Sequence, residues 1–268
     1  MRCEHSTLFR LLFQDRRLFV LVYFYMEPTI LLETSEYLLI NKPAGLVVHS
    51  DGKTEEPTLI DWILKERPTM AGVGEPMIRD GVSIDRPGIV HRLDRETSGV
   101  MILPKNQESF LFFKQAFKDR TITKQYHAFV WGHFKETSGI IDVPIARSVG
   151  DFRRWQAGRG TRGEERDAVT KWQVLSSFKD EADELFSFME LSPKTGRTHQ
   201  LRVHMKYLQR PIVSDSLYAP TKREALGFSR VALHARSIQF IDQKGGNIQV
   251  QAPYPADFEA ALARYVKI

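Results

Sequence analysis

Residues 88–99 read GIVHRLDRETSG and form the most polar and most specific stretch of the chain. They precede a strand predicted over Gly99–Leu103, so the stretch is interpreted as a functional loop. Asp94 has Arg92 two residues before it and Arg95 directly after it, and nearby cations favour an ionised carboxyl group. Such a carboxylate can act as a nucleophile or as a base. A turn whose charges are merely solvated fits the same pattern.

The segments around this loop follow one another in an irregular order. Strands often follow strands, which predicts an α+β fold with a central mixed or antiparallel sheet and flanking helices. One helix is predicted from Thr58, which forms a capping box with Asp61, to a stop before Pro68. Others are predicted from about Ser109 to Phe117 and from Pro255. The predicted strands are Glu36–Ile40, Gly99–Leu103, Gln125–Trp131, Val169–Leu175, Leu185–Leu191, Arg236–Ile241 and Asn247–Gln251.

The composition is that of a compact soluble protein with ample chain for a core. Of the 268 residues 42% are hydrophobic and 26% charged, which excludes disordered and fibrous classes. The single cysteine, Cys3, excludes an internal disulfide and a multi-thiolate metal site and favours a reducing, cytoplasmic location. The net charge of +5 favours a polyanionic partner such as nucleic acid without identifying it. No dinucleotide or P-loop motif is present, and we expect neither cofactor nor metal.

The first 26 residues differ from the rest. Their apolar run, Leu18–Met26, has nine residues, whereas a membrane span needs about 20. No small-residue cleavage site follows, so export is not expected. Residues 1–26 are interpreted as an extension of uncertain status, either packed on the domain or upstream of a functional start at Met26. Residues 27–268 are predicted to form one domain.

Three further segments concentrate polar side chains. In Leu191–Met205 a turn leads into a helix whose polar face carries Arg202, although basic residues on helix surfaces are commonly only solvated. Tyr126 lies on a predicted strand, where the pattern by itself favours a tyrosine of the core. The stretch Arg147–Arg166 contains six arginines, three acidic residues and Trp155. It fits a loop that contacts phosphates and stacks on bases, or a mobile solvated loop.

Four segments occur in a characteristic order: Ile40–His49, His91–Gly99, Lys124–Ala128 and Thr195–Met205. Together they resemble the RluA family of pseudouridine synthases over about residues 29–240. The resemblance implies an α+β catalytic domain with an RNA-binding cleft. It also implies conversion of uridine to pseudouridine in ribosomal or transfer RNA, without a cofactor, membrane or obligatory protein partner, by a chain that we expect to be monomeric.

The resemblance also implies roles for single residues. Asp94 matches the aspartate that attacks the target nucleotide, at C1′ or at C6. Tyr126 matches the tyrosine that stacks on the base and assists proton transfer, and Arg202 matches the basic residue that pairs with the aspartate. Arg92 is the candidate to fill the gap left by the flipped uridine. Further expected substrate contacts are His91, Arg95, Thr97, Arg197, His199 and Gln200.

The sequence departs from the family pattern in two places. Ser214 replaces the usual glycine of a Gly-Asp pair, which puts that turn in doubt, and Phe240–Asp242 lacks the usual His-Pro. About 40 residues precede Asn41, too few for the S4 RNA-binding domain of many relatives, so RNA affinity is expected from the catalytic domain, notably Arg147–Arg166.

Two other functions compete with the synthase. One is a non-catalytic RNA-binding or RNA-folding protein that uses the same cleft. The other is a glycosidase with an aspartate nucleophile, in which Glu96 would be the second carboxylate.

Overall fold

The computed structural model describes residues 27–49, 56–79 and 81–266; the extension predicted over residues 1–26 lies outside them. The helices are α1 (Leu59–Glu66), α2 (Gln107–Lys118), α3 (Gln200–Tyr207) and α4 (Ala256–Tyr265). The strands are β1 (Thr29–Glu33), β2 (Tyr37–Lys42), β3 (Met77–Arg79), β4 (Val82–Ile84), β5 (Ser98–Pro104), β6 (Thr123–Trp131), β7 (Ser138–Asp142), β8 (Ile145–Ser148), β9 (Trp155–Ala157), β10 (Thr161–Arg166), β11 (Val169–Lys179), β12 (Leu185–Pro193), β13 (Leu233–Ile241) and β14 (Asn247–Gln251).

A nine-stranded mixed sheet forms the centre of the molecule. Its order is β1-β2-β5-β13-β6-β12-β11-β7, with β14 added to β13. The pairing of β13 with β5 is parallel, and the other pairings in this sheet are antiparallel. The prediction of an α+β fold with a mixed sheet is therefore confirmed. Among the described residues no helix combines the length and the apolarity that a membrane crossing requires.

Gly99 is the residue at which the functional loop enters the sheet. It pairs with Ala235 across the parallel β5–β13 contact, and its φ is +118°. A Cβ atom at this position would lie 2.2 Å from the carbonyl oxygen of Ala235. Only glycine tolerates both the backbone conformation and the close approach of the neighbouring strand. The glycine that ends the HRLDRETSG stretch thus fixes where the loop leaves the sheet.

Two large hydrophobic clusters pack on the sheet and meet at Tyr126. The first contains buried residues of α1 and of the strands β2 and β5. The second contains buried residues of α3, α4, β6 and β12, including Phe258, Ala261 and Leu262 of α4. Tyr126 is partly buried against both clusters. A strand residue at this junction is in a position to line a cleft between the two halves of the core.

The capping box predicted at the start of α1 is confirmed. The Thr58 hydroxyl accepts a hydrogen bond from the Asp61 amide at 3.3 Å, and the Asp61 carboxylate accepts one from the Thr58 amide at 2.7 Å. Helix α2 begins two residues earlier than predicted. The reason is Asn106, whose side-chain oxygen accepts a hydrogen bond from the Ser109 amide at 2.9 Å and caps the helix.

The prediction of a loop over Arg147–Arg166 is wrong. The segment forms a three-stranded antiparallel sheet in the order β10-β8-β9. Arg147 and Trp155 are paired across β8 and β9, and the Arg147 guanidinium lies 4.4 Å from the indole ring. Arg166 approaches the same indole at 5.9 Å. Cation–π contacts across the strands stabilise this small sheet. Its many glycines and arginines leave no alternation of apolar and polar residues from which a strand could be predicted.

Ser214, which departs from the family pattern, occupies the backbone conformation that favours glycine. Its φ is +56°. Its hydroxyl donates a hydrogen bond to the Phe228 carbonyl at 2.8 Å and accepts one from the Ala225 amide at 3.4 Å. A left-handed conformation costs a non-glycine residue roughly 1–2 kcal/mol. Hydrogen bonds worth about 1 kcal/mol each offset that cost, so the turn leading into Asp215 is retained.

Candidate active site

A cavity of about 550 Å³ lies where the two halves of the core meet. Its walls come from the loop before β5, from α2 and β6, and from the turn that leads from β12 into α3. Segments distant in sequence therefore meet here. Nine of the ten residues predicted for the site line the cavity: Asp94, Tyr126, Arg202, His91, Arg92, Thr97, Arg197, His199 and Gln200.

Arg202 connects two carboxylates at the floor of this cavity. Its Nη1 donates to Asp94 Oδ2 at 3.1 Å, while Nε and Nη2 donate to the two Asp215 oxygens at 2.8 and 2.9 Å. The pairing of Arg202 with Asp94, which the resemblance implied, is thus present. The Asp94 side chain is 20% exposed, but that of Asp215 is fully buried. One carboxylate can therefore meet a substrate while the other serves to hold Arg202.

Charge pairing keeps Arg202 protonated in spite of its burial. Desolvation opposes the charged form, but the hydrogen bonds and negative charges of Asp215 and Asp94 outweigh it and raise the pKa of Arg202 above its ordinary value. A bidentate ion pair also fixes the plane of the guanidinium. Sequence reasoning missed Asp215, and the aspartate of the Gly-Asp pair was the one signal that could have revealed it.

Tyr126 reaches the cavity from β6. It is paired with Leu191 on one side and Ala235 on the other, so its backbone is fixed in the middle of the sheet. Burial, with the nearby charge of Asp94, raises the pKa of Tyr126 above its ordinary value. The side chain is therefore a neutral phenol at physiological pH. It offers an aromatic face and an O–H group beside the carboxylate.

His91 and Lys124 line the cavity wall near α2. The His91 ring stacks on Phe117 with centroids 4.7 Å apart, and its Nε2 accepts a hydrogen bond from the Ile102 amide at 3.0 Å. Burial, with the charge of Lys124, lowers the pKa of His91 to about 3, so the ring is neutral. Burial also lowers the pKa of Lys124 to about 8. Lys124 is thus a partly desolvated cation, which is favourable to an incoming anion.

Arg92 and Thr97 keep polar groups available at the cavity. Arg92 is exposed, and its Nη1 lies 3.4 Å from Nε2 of His49. The Thr97 hydroxyl is buried and has no hydrogen-bond partner among the described residues. Arg197 donates from Nε to the Asp167 carbonyl at 2.9 Å, so part of its guanidinium is already engaged at the cavity edge.

Two predicted substrate contacts are placed differently by the structure. Arg95 does not line the cavity. Its Nε donates to the Gly45 carbonyl at 3.2 Å and its Nη2 pairs with Glu56, so the expected ion pair beside Asp94 is not formed.

Gln200 lines the cavity but is 4% exposed. Its amide accepts from Thr195 and from the Arg197 backbone and donates to Val169 and Thr170. With all its hydrogen-bonding capacity used, Gln200 braces the turn into α3.

Lys42 is a second residue that sequence reasoning missed. Its side chain is completely buried, and Nζ donates to the carbonyls of Pro43, Leu46 and Arg95 at 2.7, 2.9 and 3.1 Å. Burial lowers its pKa to about 7. Lys42 therefore connects the segment Ile40–His49 to the loop that carries Asp94.

The charges of the cavity distinguish between classes of chemistry. Asp94 is the one carboxylate among the described residues that line it. Glu96 is exposed and does not line the cavity, and Asp215 is locked to Arg202, so the pair of acids of a retaining glycosidase is not assembled. Seven cationic residues line the cavity with Asp94 instead, which suits a polyanionic substrate. They are Arg92, Lys118, Arg120, Lys124, Lys194, Arg197 and Arg202.

Comparison with known proteins agrees with this geometry. The family model described as RNA pseudouridylate synthase matches residues 36–207. A protein of Synechocystis sp. named as an RNA pseudouridine synthase is 35% identical over 234 residues, which cover 87% of this chain and 67% of that protein. The ribosomal large subunit pseudouridine synthase D of Xanthomonas campestris is 33% identical over 246 residues, covering 87% of this chain and 68% of that protein.

Two solved human structures share the fold. The RNA pseudouridylate synthase domain containing 1 protein superposes with a TM-score of 0.66 at 26% identity, covering 86% of this chain and 84% of that one. The RNA pseudouridylate synthase domain containing 4 protein gives a TM-score of 0.65 at 26% identity, with 88% and 92% covered.

Proposed function

Because this chain belongs to the RNA pseudouridylate synthase family, and is thus an isomerase of uridine in RNA, we propose that it modifies ribosomal RNA of the large subunit with Asp94 as nucleophile. The name shared by relatives in Xanthomonas campestris and Zymomonas mobilis, ribosomal large subunit pseudouridine synthase D, supports this choice of RNA. Transfer RNA is the alternative substrate.

One observation carries the proposal: among the described residues that line the cavity Asp94 is the single carboxylate, and Arg202 holds it at 3.1 Å. The carboxylate attacks the target nucleotide and forms a covalent bond to it, and the C1′–N1 bond breaks. The uracil turns and joins the sugar through a C1′–C5 bond, and the bond to Asp94 breaks, which regenerates the carboxylate. The C5 proton is then lost to solvent and N1 gains one. Covalent catalysis divides one difficult exchange into smaller steps.

Two neighbours of Asp94 are proposed to hold the extruded nucleotide. Tyr126 offers its aromatic face to the uracil. Because its phenol is neutral, the ring carries no negative charge that would oppose stacking. Arg92 is exposed at the cavity mouth and has a planar guanidinium that can stack in the space left by the flipped base and contact phosphate. We further propose a cytoplasmic monomer without an obligatory protein partner.

The decisive experiment is tritium release from RNA labelled at uridine C5, with separate pools of ribosomal and transfer RNA. Release from the large-subunit ribosomal pool alone is expected. Release from transfer RNA alone would replace the proposed substrate. Tight binding of both pools without release would instead support a non-catalytic RNA-binding protein.

The arginines of the small sheet give a second prediction, on RNA affinity. Arg159 and Arg162 have no ion-pair or hydrogen-bond partner for their guanidinium groups among the described residues, whereas Arg153 and Arg154 lie within 4 Å of Asp151. Replacing Arg159 and Arg162 by Gln should weaken binding and reduce the slope of log K against log salt by about 1.4 for single-stranded RNA. Filter binding at several salt concentrations measures the slope.

The pair Arg153→Gln and Arg154→Gln is the matched control. It removes the same charge from the same segment, but both of these arginines already share an ion pair with Asp151. A smaller change in slope is expected. Equal slopes for the wild type and the Arg159, Arg162 variant would place the phosphate contacts elsewhere on the protein.

A further inference from the structure

His199 is held at the edge of the cavity in an unusual backbone conformation. Its φ of +56° is left-handed, and it stands directly before α3 without a side-chain cap hydrogen bond. Its side chain is 20% exposed and lines the cavity. A non-glycine residue in this conformation persists only when its surroundings determine it, and such residues are concentrated at functional sites.

Tyr218 determines which nitrogen of His199 carries the proton. The phenol oxygen of Tyr218 accepts a hydrogen bond from the Trp155 amide at 3.0 Å and lies 2.9 Å from Nδ1 of His199. Tyr218 is 5% exposed, and no other acceptor contacts its hydroxyl among the described residues. The phenol proton must therefore be donated to Nδ1, because otherwise it would be buried without an acceptor.

With Nδ1 as acceptor, a neutral His199 carries its proton on Nε2. Burial lowers the pKa of His199, although the charge of Asp94 acts in the opposite direction, so the neutral ring is the form present at neutral pH. Nε2 lies 3.9 Å from Asp94 Oδ2, which is too far for a hydrogen bond. Among the described residues this N–H group has no hydrogen-bond partner, and it faces the space beside the nucleophile.

We propose that His199 is a catalytic residue whose neutral Nε2–H group donates a hydrogen bond to a carbonyl oxygen of the target uracil, with Tyr218 as the positioning residue that fixes this tautomer. The proposal rests on the function proposed above. Either attack by Asp94 places negative charge on the uracil: addition at C6 moves the C5–C6 electron pair toward O4, and attack at C1′ leaves the C1′–N1 pair on the ring, shared by O2 and O4.

His199 keeps its proton throughout, so no acid or base has to restore it. A neutral imidazole is a poor proton donor but a good hydrogen-bond donor, and a fixed donor stabilises developing charge without reorganisation. Arg202 is less free for this role, because three of its five N–H groups already donate to Asp94 and Asp215 and fix the plane of the guanidinium.

The first test reads the tautomer without RNA. In protein labelled with 15N-histidine, long-range proton–nitrogen correlation spectra at neutral pH distinguish Nε2–H from Nδ1–H rings, and the signal missing in His199→Gln identifies His199. We expect a pure Nε2–H ring in the wild type and a mixture in Tyr218→Phe. An Nδ1–H ring in the wild type would overturn the proposal, whatever the activity of the enzyme.

The second test separates donation from shape. His199→Gln can place an amide N–H near the position of Nε2, whereas His199→Leu has none; both side chains meet the same left-handed backbone. We expect His199→Leu to lower kcat by about 10²-fold to 10³-fold, His199→Gln to retain most of it, and RNA affinity to stay unchanged in both. Equal losses in the two variants, or a loss confined to RNA affinity, would exclude a catalytic donor.

The third test asks whether Tyr218 acts through His199. Tyr218→Phe should lower kcat in the wild-type background and have no further effect in His199→Leu, because the residue that it orients is then absent. Equal effects in both backgrounds would contradict the positioning role. If the wild type releases no tritium from any RNA, the proposed function fails, while the tautomer measurement still tests the geometry by itself.

Discussion

Asp94→Asn is expected to abolish pseudouridine formation while leaving the affinity for RNA intact. Asparagine has nearly the same shape, and Arg202 keeps its bidentate contact with Asp215, so the cavity should persist. The amide has no negative charge with which to attack the nucleotide. A loss of roughly 10⁴-fold or more is expected, the scale seen when a covalent nucleophile is removed. Tritium release and filter binding with the same RNA measure the two quantities.

The control for this variant is Asp183→Asn, at a side chain that is 82% exposed and far along the chain. It removes the same charge and should retain full activity. RNA affinity of Asp94→Asn should not fall, because the substitution removes a negative charge from a cavity of cations that meet phosphates. Retained product formation would remove Asp94 from the nucleophile role, and lost RNA affinity would indicate a damaged cavity.

Arg202→Met is expected to lower stability and activity together. The Asp215 side chain is completely buried, and removal of Arg202 leaves this carboxylate without its cation. Breaking a buried ion pair from one side costs about 3–5 kcal/mol of unfolding free energy. Asp94 also loses the group that orients it, so tritium release should fall to the level of Asp94→Asn. Urea denaturation and the tritium assay measure the two effects.

A double variant separates these two effects. Arg202→Met with Asp215→Asn removes the stranded charge, and the asparagine oxygen can still accept from the Leu217 and Tyr218 amides. Most of the lost stability should return, but activity should not, because Asp94 still lacks a cation. Recovery of activity in the double variant would reduce Arg202 to a structural role. Wild-type stability of the single variant would contradict the burial of an ionised Asp215.

The family and the fold class were predictable because their signals are local. The capping box at Thr58 is contained in four consecutive residues, and the glycine that closes the HRLDRETSG stretch marks its return to the sheet. The resemblance carried by four short segments is confirmed by the family match over residues 36–207. The exception is Arg147–Arg166, where strand pairing is stabilised by arginine–tryptophan contacts across strands and leaves no clear hydrophobic alternation.

The partners of the candidate site were less predictable, since they depend on where the chain turns. Arg95 is adjacent to Asp94 in sequence, yet its guanidinium points to Gly45 and Glu56. Arg202 lies 108 residues away and contacts Asp94 directly. Neighbours in a tight turn project in different directions, so proximity in sequence is a poor guide to side-chain contact.

By itself, the sequence determined the fold class, the family and the residue types available for chemistry. These depend on short motifs and periodic patterns, whose residues lie close together along the chain. Only the tertiary structure decided which charges meet. It placed the buried Asp215 behind Arg202, and it placed Tyr218 between Trp155 and His199. Such contacts join strands, turns and a helix that are distant in sequence, and hydrogen-bond geometry, which acts over about 3 Å, is defined only after these elements have packed.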